Sequence, residues 1–433
     1  MNTLVTRNSS LFPVALAAAT TAFAVPEASN VTMIQNIGNC QVTITYELSE
    51  DAVITLDILT NGTANAETGW ASIGGEHICN AQGDVWKQVS AGTHTITWQP
   101  AESWLDGNGD GFKIADGCAV AEVSAWPLDN TPDYMVVDIS STAQQNTQRY
   151  YPRVDFLPGS EPGQKGAVTN NPIYKTSMLV MRKIMAKDIT WTTGATASEP
   201  GGWTTTSAVT LTNNFYIGVF EVTQSQWSEI GFSSAFSTKY TVEGSMRPKD
   251  NVCYNEVRHQ NQWPKNNESP YEWPNDPWPN SFLGKLRTRT GIDFDVPSAY
   301  EWEFAARAGN GSGYWGDGSA ILSASVDANL SKQGRYSGNA PGNNVAEALP
   351  SEGGSDIVGR YRPNAWGLYD VFGNVWEITR TINGDWNRRR KGGHFLGTAT
   401  VCRPASDDSS TFLSCGSTGE TTGLRVICRA GLK

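Results

Sequence analysis

The chain is poor in charged residues, and basic residues are the scarcer kind. Charged residues make up 17% of its 433 positions, whereas about 25% is usual for soluble domains. Asp and Glu number 43 against 32 Lys and Arg, which gives a formal charge of −11. A surface that binds nucleic acid needs clustered positive charge to neutralise phosphates. The composition therefore excludes nucleic acid as an expected partner.

Histidines and common catalytic motifs are also scarce. The chain has four histidines, at positions 77, 94, 259 and 394. No Gly-rich phosphate-binding loop, GxSxG nucleophile elbow or HExxH zinc-binding helix occurs in the sequence. The sequence thus lacks the signatures of P-loop proteins, of serine hydrolases built on that elbow, and of zinc proteases.

Long apolar runs are absent except near the N-terminus. Arg7 is the only charge in the first 24 residues, and it precedes an apolar run from Leu11 to Phe23. A membrane-spanning helix needs about 20 apolar residues, so this run is too short to be one. Small residues around Ala24 suit cleavage of a secretory signal peptide. We expect residues 1–24 to be removed on export, and the protein to be secreted or at the cell surface without a transmembrane anchor.

Glycine and proline are plentiful, with 43 and 21 residues, and the length suits two domains. Residues 25–140 contain 16 acidic and two basic residues, for a net charge of −14. Residues 141–433 have a net charge of +2. This difference indicates two separate domains. Residues 141–171 are rich in Ser, Gln, Gly and Pro, and we interpret them as a linker.

The acidic domain, residues 25–140, alternates polar and apolar residues with a period of two. Val42, Ile44 and Tyr46 begin one such run. Similar short runs occur at 54–58, 93–98, 119–126 and 134–139. Short strands between turns rich in Gly, Asn and Asp predict an antiparallel β-sandwich of the immunoglobulin or fibronectin type.

One acidic turn of this domain has the oxygen spacing that opens a calcium-binding loop. Residues 106–111 read DGNGDG, but Gly117 stands where such a loop places its twelfth-position Glu. Because the ligand set is incomplete, we interpret this segment as a tight turn between strands.

The second domain contains few helix signals among much irregular chain. The sequences TQSQ at 223–226 and SAYE at 298–301 are capping boxes, which predict helices that begin near Gln224 and Ala299. We expect a third helix at 281–289.

Five segments of the second domain match, in order, the motifs of one family. They are FYIGVFEVT at 215–223, VPSAYEWEFAAR at 296–307, PNAWGLYDVFGNVWE at 363–377, GGHF at 392–395 and GLRV at 423–426. The chain from about Met178 onward resembles the formylglycine-generating enzyme, or sulfatase-modifying factor, family. The resemblance implies a C-type-lectin-like fold with few helices and long ordered loops over residues 172–433. The expected fold class is therefore α+β, with this domain after the β-sandwich.

The resemblance also implies structural calcium. The family's ligands correspond to the side chains of Asp370 and Glu377 and the carbonyls of Gly373 and Val375. Carboxylate and carbonyl oxygens that converge in one turn are ligands that calcium prefers. The alternative is that the two carboxylates only hydrogen-bond the loop. The family has a second calcium site that opens with an Asn, and Asn329 and Leu330 resemble its start.

Seven cysteines in an exported chain suggest disulfides. The acidic domain has an odd number, so one thiol there is free or pairs outside the domain. The three are Cys40, Cys79 and Cys118, and the second domain has Cys253, Cys402, Cys415 and Cys428. Four cysteines allow three pairings. The resemblance favours Cys402 with Cys428, because the family fold sets their strands side by side.

The resemblance leaves two functions open. The family's enzymes use two thiolates, five residues apart after Gly-Gly-Ser, to hold Cu(I) and oxidise a sulfatase cysteine to formylglycine. Gly397 and Cys402 occupy those two positions here, and His394 replaces the Ser. Cu(I) selects soft sulfur ligands, so the oxidase alternative requires His394 and Cys402 to share the copper.

We therefore expect a non-catalytic binding or surface-structural protein that recognises a glycan or an extracellular protein. The copper-dependent oxidase is the alternative. The charge of −14 on residues 25–140 also permits self-assembly through bridging cations.

Overall fold

The computed structural model describes residues 2–4, 25–160, 164, 168–196, 206–233, 244–258, 276–339, 354–383, 387–408 and 421–431. The chain forms two compact units. The first comprises residues 1–135, 148–171 and 431–433, and the second comprises residues 136–147 and 172–430. Of the signal peptide that we predict at residues 1–24, residues 2–4 form a strand that pairs with residues 33–35, and residues 5–24, which include the apolar run, lie outside the described residues.

The first unit consists mainly of short antiparallel strands. Its elements are β1 (Asn2–Leu4), β2 (Ala28–Gln35), β3 (Val42–Leu48), β4 (Ala52–Thr60), β5 (Ala71–Ser72), β6 (Gln82–Gly83), β7 (Lys87–Val89), β8 (Gly92–Trp98), α1 (Pro100–Ser103), β9 (Ala119–Trp126) and β11 (Arg149–Tyr151). Strand β10 (Tyr134–Asp138) contains the boundary between the units. One sheet has the order β1-β2-β3-β8-β6, and in the other β4 pairs with β5, β7 and β9. Two antiparallel sheets agree with the predicted sandwich class.

Period-two alternation accounts for these strands. Val42, Ile44 and Tyr46 are buried in β3, whereas Thr43 and Thr45 between them are only partly buried. In the register of β3 with β8, Ile44 lies opposite Ile96. Fully burying one such apolar side chain contributes roughly 1.5–3 kcal/mol, so a one-residue slip of β3 would lose several of these contributions together.

The segment that we predict as a linker, residues 141–171, differs in the structure. Residues 148–171 belong to the first unit and residues 141–147 to the second. Strand β11 lies within the segment, and Tyr150 and Tyr151 are buried. Tyr151 stacks on Trp86 with ring centroids 5.2 Å apart, and Tyr150 donates its N–H to the Trp86 carbonyl. The buried aromatic rings therefore make this stretch part of a core, which its polar composition concealed.

The second unit mixes short sheets with few helices. Its elements are β12 (Met178–Ile184), β13 (Thr190–Gly194), β14 (Thr206–Thr210), β15 (Phe215–Gly218), α2 (Gln224–Glu229), α3 (Tyr254–Val257), α4 (Phe282–Thr290), α5 (Ala299–Arg307), α6 (Leu330–Gln333), β16 (Trp376–Asn383), β17 (Asn387–Lys391), β18 (Asp407–Asp408), β19 (Thr422–Gly423) and β20 (Ile427–Arg429). This composition confirms the predicted α+β class. The longest described helices, α4 and α5, have nine residues each. In the described part of the chain, no helix could span a bilayer.

The capping boxes begin two helices where the sequence predicts them. Thr223 accepts the N–H of Gln226 at the start of α2, and Ser298 accepts the N–H of Glu301 at the start of α5. In both boxes the side chain three residues after the cap, Gln226 or Glu301, accepts the main-chain N–H of the capping residue. Helix α4 begins after Ser281, which caps Gly284. All three predicted helices are thus confirmed.

Two sheets of the second unit contain or flank the five motifs. Strand β15 lies between β12 and β20, antiparallel to both. The other sheet has the order β18-β17-β16-β19, in which β16 and β19 run parallel. A buried core that includes Trp302, Trp315 and Phe372 packs helix α5 against the loops before β16.

Candidate functional site

The turn that precedes β16 begins at Asp370 and has an unusual backbone. Asp370, Gly373 and Asn374 have positive φ angles of 55°, 88° and 55°. A Cβ on Gly373 would lie 2.1 Å from the carbonyl oxygen of Arg335, so only glycine fits there. The N–H of Gly373 donates to the Gly392 carbonyl over 2.7 Å. These contacts fix the turn against the segment that carries the GGHF motif.

Glu377 follows this turn and is paired with a fully buried arginine. The guanidinium Nη2 of Arg425 lies 2.7 Å from Glu377 Oε1, and its Nε lies 3.0 Å from both carboxylate oxygens. The indole N–H of Trp302 donates to Oε2 over 2.6 Å. The remaining Arg425 hydrogen bonds go to main-chain carbonyls, namely those of Gly218, Val219 and Tyr369. The ion pair therefore links β15, α5, β16 and the GLRV motif.

A second buried carboxylate, Glu221, follows β15 and contacts the same turn. It accepts the side-chain N–H of Asn374 over 2.6 Å and the main-chain N–H of Val375 over 3.2 Å. Burial raises the pKa of Glu221 well above its usual range, and the nearby Asp370 and Glu377 add to this effect. Sequence reasoning missed Glu221 as a site residue. The sequence feature that could have indicated it is the single acidic residue in the otherwise apolar run GVFEV, at 218–222, before the capping box.

Asp370 is also buried, with 2% of its surface exposed. Its Oδ2 accepts the N–H of Gly359 over 2.6 Å. Burial raises the pKa of Asp370 to about 7, although the Gly359 N–H and the Arg425 charge oppose the rise. The cluster thus places three carboxyl groups, those of Glu221, Asp370 and Glu377, around one guanidinium, and the raised pKa values favour the neutral forms of Glu221 and Asp370.

The four residues that resemble the family's calcium ligands, Asp370, Gly373, Val375 and Glu377, are held in one turn. They do not fit calcium at Glu377, because both oxygens of that carboxylate already accept hydrogen bonds from Arg425. A guanidinium beside a ligand oxygen also repels a dication. Arg425 therefore supplies the positive charge next to Glu377. Chelation tests the calcium prediction at this turn, and the Arg425–Glu377 pair leads us to expect no effect.

Asn329 and Leu330, the start of the second predicted calcium site, lie at the beginning of α6. The Asn329 carbonyl Oδ1 accepts from Lys332 over 3.2 Å, and its amide donates to the Ala320 carbonyl. Leu330 is fully buried in the core. Asp327 organises this turn by accepting the N–H groups of both residues. In the described residues, no group of three His, Cys, Asp or Glu side chains is arranged to hold a metal.

Cys402 stands at the second family cysteine position and is fully buried in the core. Burial raises the pKa of Cys402 to about 12, with a weak opposing contact from the His394 carbonyl. A Cβ on Gly393 would lie 2.7 Å from the Cys402 Sγ, so the thiol fills the space beside that glycine. At neutral pH this thiol is protonated, and a protonated thiol neither binds metal nor attacks a disulfide.

His394 does not complete a metal site with this thiol. The Cys402 Sγ contacts the carbonyl oxygen of His394 at 3.9 Å rather than its ring. The imidazole stacks on Trp376 with centroids 5.8 Å apart, and its Nδ1 has no hydrogen-bond partner among the described residues. Burial lowers the pKa of His394 to about 4, and Arg390 adds to that effect. With Gly397 at the first cysteine position, the residues present do not fit a two-thiolate copper site.

The favoured disulfide between Cys402 and Cys428 is wrong, because both are free thiols. Cys428 lies in β20 opposite Tyr216 of β15, whereas Cys402 packs beside Gly393. The two thiols therefore belong to different parts of the core. Cys40, Cys79 and Cys118 are also free, and Cys253 is disulfide-bonded. Cys415 lies outside the described residues.

Comparisons with known proteins agree with the five motifs. The model of the sulfatase-modifying factor enzyme 1-like domain matches residues 189–430, more than half of the chain. The chain therefore belongs to the sulfatase-modifying factor family, through its second domain. The match lies within the region for which the motifs predict membership.

Two curated relatives share parts of the sequence. The chaperone protein LppX of Paenibacillus barcinonensis is 28% identical over 245 residues, which cover 51% of this chain and 81% of that protein. The formylglycine-generating enzyme of Mycobacterium tuberculosis is 36% identical over 91 residues, which cover 20% of this chain and 26% of the enzyme. The chain thus matches about a quarter of that enzyme.

Two solved structures are similar at low identity. Treponema denticola variable protein 1 is 18% identical, with 58% of this chain and 95% of that chain covered and a TM-score of 0.41. PvdO from Pseudomonas aeruginosa is 16% identical, with 58% and 94% covered and a TM-score of 0.43.

Proposed function

We propose that this chain is an exported, non-catalytic binding protein whose sulfatase-modifying factor domain recognises a glycan or an extracellular protein. The observation that carries the proposal is the state of Cys402. The thiol is buried, and its pKa is raised to about 12. Gly397 provides no second thiol five residues before it. The formylglycine reaction of the resembling enzymes depends on two reactive thiolates, and positions 397 and 402 of this chain do not provide them.

Two further observations support a binding role. One relative, which matches 51% of this chain, is named a chaperone rather than an enzyme. The N-terminal 24 residues have the composition of a secretory signal. Export would place both units outside the cell. N-terminal sequencing of the secreted protein tests this part of the proposal, with Val25 as the expected first residue.

The function is tested by an activity assay on the full secreted chain. The protein is incubated with Cu(I), oxygen and a peptide that contains the sulfatase cysteine motif. The mass of the peptide is then measured by mass spectrometry. The Mycobacterium tuberculosis formylglycine-generating enzyme serves as the positive control. We expect no conversion of cysteine to formylglycine by this chain.

The oxidase alternative makes the opposite prediction. Under it, turnover occurs, and it disappears in Cys402→Ser and falls in His394→Gln. The melting temperature of each variant shows whether it is folded. Turnover with this dependence would overturn the proposal, and copper would then be the cofactor.

A further inference from the structure

A cavity of about 280 Å³ opens on the second unit, away from Cys402 and the Asp370 turn. It lies between the β13–β14 hairpin, the first turns of α5, strand β17 and residues 405–407. Its volume is near the lower limit of about 300 Å³ for ligand sites, so it suits one small group. Most of its accessible lining is polar.

The floor of the cavity is a buried charge network around Glu303. The Glu303 carboxylate accepts the Thr193 hydroxyl over 2.8 Å and the Gly194 N–H over 2.9 Å. It also pairs with Arg307 at 2.8 Å and with Lys391 at 3.2 Å. The three charged side chains are at most 4% exposed. Two cations, Arg307 and Lys391, pair with this one carboxylate, and of the two Lys391 lines the cavity.

Lys391 has donor capacity that the protein does not use. An ammonium group carries three N–H donors. Among the described residues, the ammonium of Lys391 donates one hydrogen bond, to Glu303, and otherwise lies 5.7 Å from the ring centroid of Trp302. Buried cations are stable when a counter-charge and acceptors surround them. An anionic group in the cavity would accept the two remaining N–H bonds and balance the floor.

The rim of the cavity presents a different set of groups. Arg389 Nη1 lies 2.8 Å from Asp407 Oδ2, and the two side chains are 34% and 35% exposed. The pair places hydrogen-bond donors beside acceptors, which complements hydroxyl groups that both donate and accept. The half-buried ring of Tyr300 also lines the cavity. An aromatic ring offers a face for the C–H groups of a flat, partly apolar ligand.

We propose that this cavity binds the acidic sugar residue of a glycan, with its carboxylate at Lys391 and its hydroxyl groups at Arg389 and Asp407. The floor offers the remaining ammonium donors of Lys391 to an anion, the rim suits neighbouring hydroxyl groups, and the volume limits the ligand to about one saccharide residue. This inference rests on the proposed binding function and makes the glycan, rather than a protein, its ligand.

The test measures binding of D-glucuronate to the full secreted chain by calorimetry, with glucose and N-acetylaspartate as matched probes. We expect glucuronate to bind at least tenfold more tightly than glucose. Lys391→Met should weaken glucuronate binding at least tenfold, and the rim variant Arg389→Ala should weaken it several-fold. Lys332→Gln, which removes a lysine outside the cavity lining, should leave the affinity unchanged.

Three outcomes would overturn the inference. They are no measurable glucuronate binding by the parent chain, equal affinity for glucose and glucuronate, and affinity for N-acetylaspartate equal to that for glucuronate. Melting curves of the variants separate lost binding from lost folding, and Arg389→Ala keeps the test valid if Lys391→Met does not fold. The formylglycine assay is independent of these binding measurements. Failure of the sugar site can therefore be distinguished from failure of the proposed function.

Discussion

The two units use charge in opposite ways. In the described part of the first unit, Glu76 is the one charged side chain classed as buried, although residues 25–140 have a net charge of −14. The nearly neutral second unit buries many charges, among them Glu221, Glu377 and Arg425. Exposed charges are screened and contribute little to stability, whereas buried charges depend strongly on their partners. Net charge therefore describes the surface of the first unit, and buried pairs hold the motifs of the second together.

The largest expected effect comes from removing a buried cation. Arg425→Met leaves Glu377 buried without its partner, and such a loss costs about 3–5 kcal/mol of unfolding free energy. The matched variant in the first unit is Arg153→Ala, whose partner Asp155 is 46% exposed. Its expected cost is about 0–1 kcal/mol. Denaturant titration of both variants measures the difference, and equal costs would remove the contrast between the units.

A buried histidine should make the second unit sensitive to acid. The pKa of His394 is lowered to about 4 by burial, whereas an unfolded histidine titrates near 6.5. Its contribution to stability is therefore full above about pH 6.5 and is lost as the pH falls through about 4. The loss over this range is on the order of 3 kcal/mol.

The variant His394→Gln isolates this contribution. We expect the stability of the parent chain to fall more steeply than that of the variant between pH 7 and 4, as measured by denaturant titration at each pH. Parallel curves would mean that His394 is accessible to protons in the folded state.

A smaller effect is expected at the cap of α5. Ser298→Ala removes the acceptor for the Glu301 N–H, and loss of such a cap costs about 1 kcal/mol. The surface comparison is Asp106→Asn, which keeps the side-chain oxygen that accepts the Asn108 N–H in the exposed turn. Its expected change lies within about 0.5 kcal/mol. Calorimetric thermal unfolding measures the stability of both variants. A larger loss of stability in Asp106→Asn than in Ser298→Ala would contradict the comparison.

The parts of the fold that could be predicted from the sequence are those that local residue patterns determine. The alternation of apolar and polar residues over 42–48 predicts a strand, because successive side chains of a strand lie on opposite faces of the sheet. The capping boxes at Thr223 and Ser298 specify helix starts within four residues. The five motifs predicted the family, because their order along the chain is itself specific.

The site depends on contacts between distant residues, which local patterns do not contain. Arg425 and Glu377 are 48 residues apart, and Glu221 meets Asn374 across 153 residues. The sequence identified Glu377 from its motif but could not reveal which cation lies beside it. The predicted disulfide failed because Cys402 lies in a turn rather than on a strand beside the one that contains Cys428. The predicted linker failed because a few buried aromatic residues outweighed a polar composition.

The smallest expected effect is that of calcium removal, and it applies to both units. In the first unit, Asp106 Oδ1 accepts the N–H groups of Asn108 and Asp110, so the acidic turn is closed by its own hydrogen bonds. In the second, the positive charge beside Glu377 comes from Arg425. An ion stabilises a fold only when it binds the native state. We therefore expect chelation with EDTA to leave both unfolding transitions unchanged, within about 1 °C by calorimetry.

The control for this experiment adds 5 mM calcium to the chelator-treated chain, which should also leave the transitions in place. A calcium-dependent rise confined to the second unit, and lost in Asp370→Asn, would instead mean that calcium displaces Arg425 from Glu377. The buried negative charge of Glu221 and Asp370 would then be balanced by an ion. In that case the second unit would differ from the first by its dependence on a calcium ion from solution, which would provide the positive charge that we assign to Arg425.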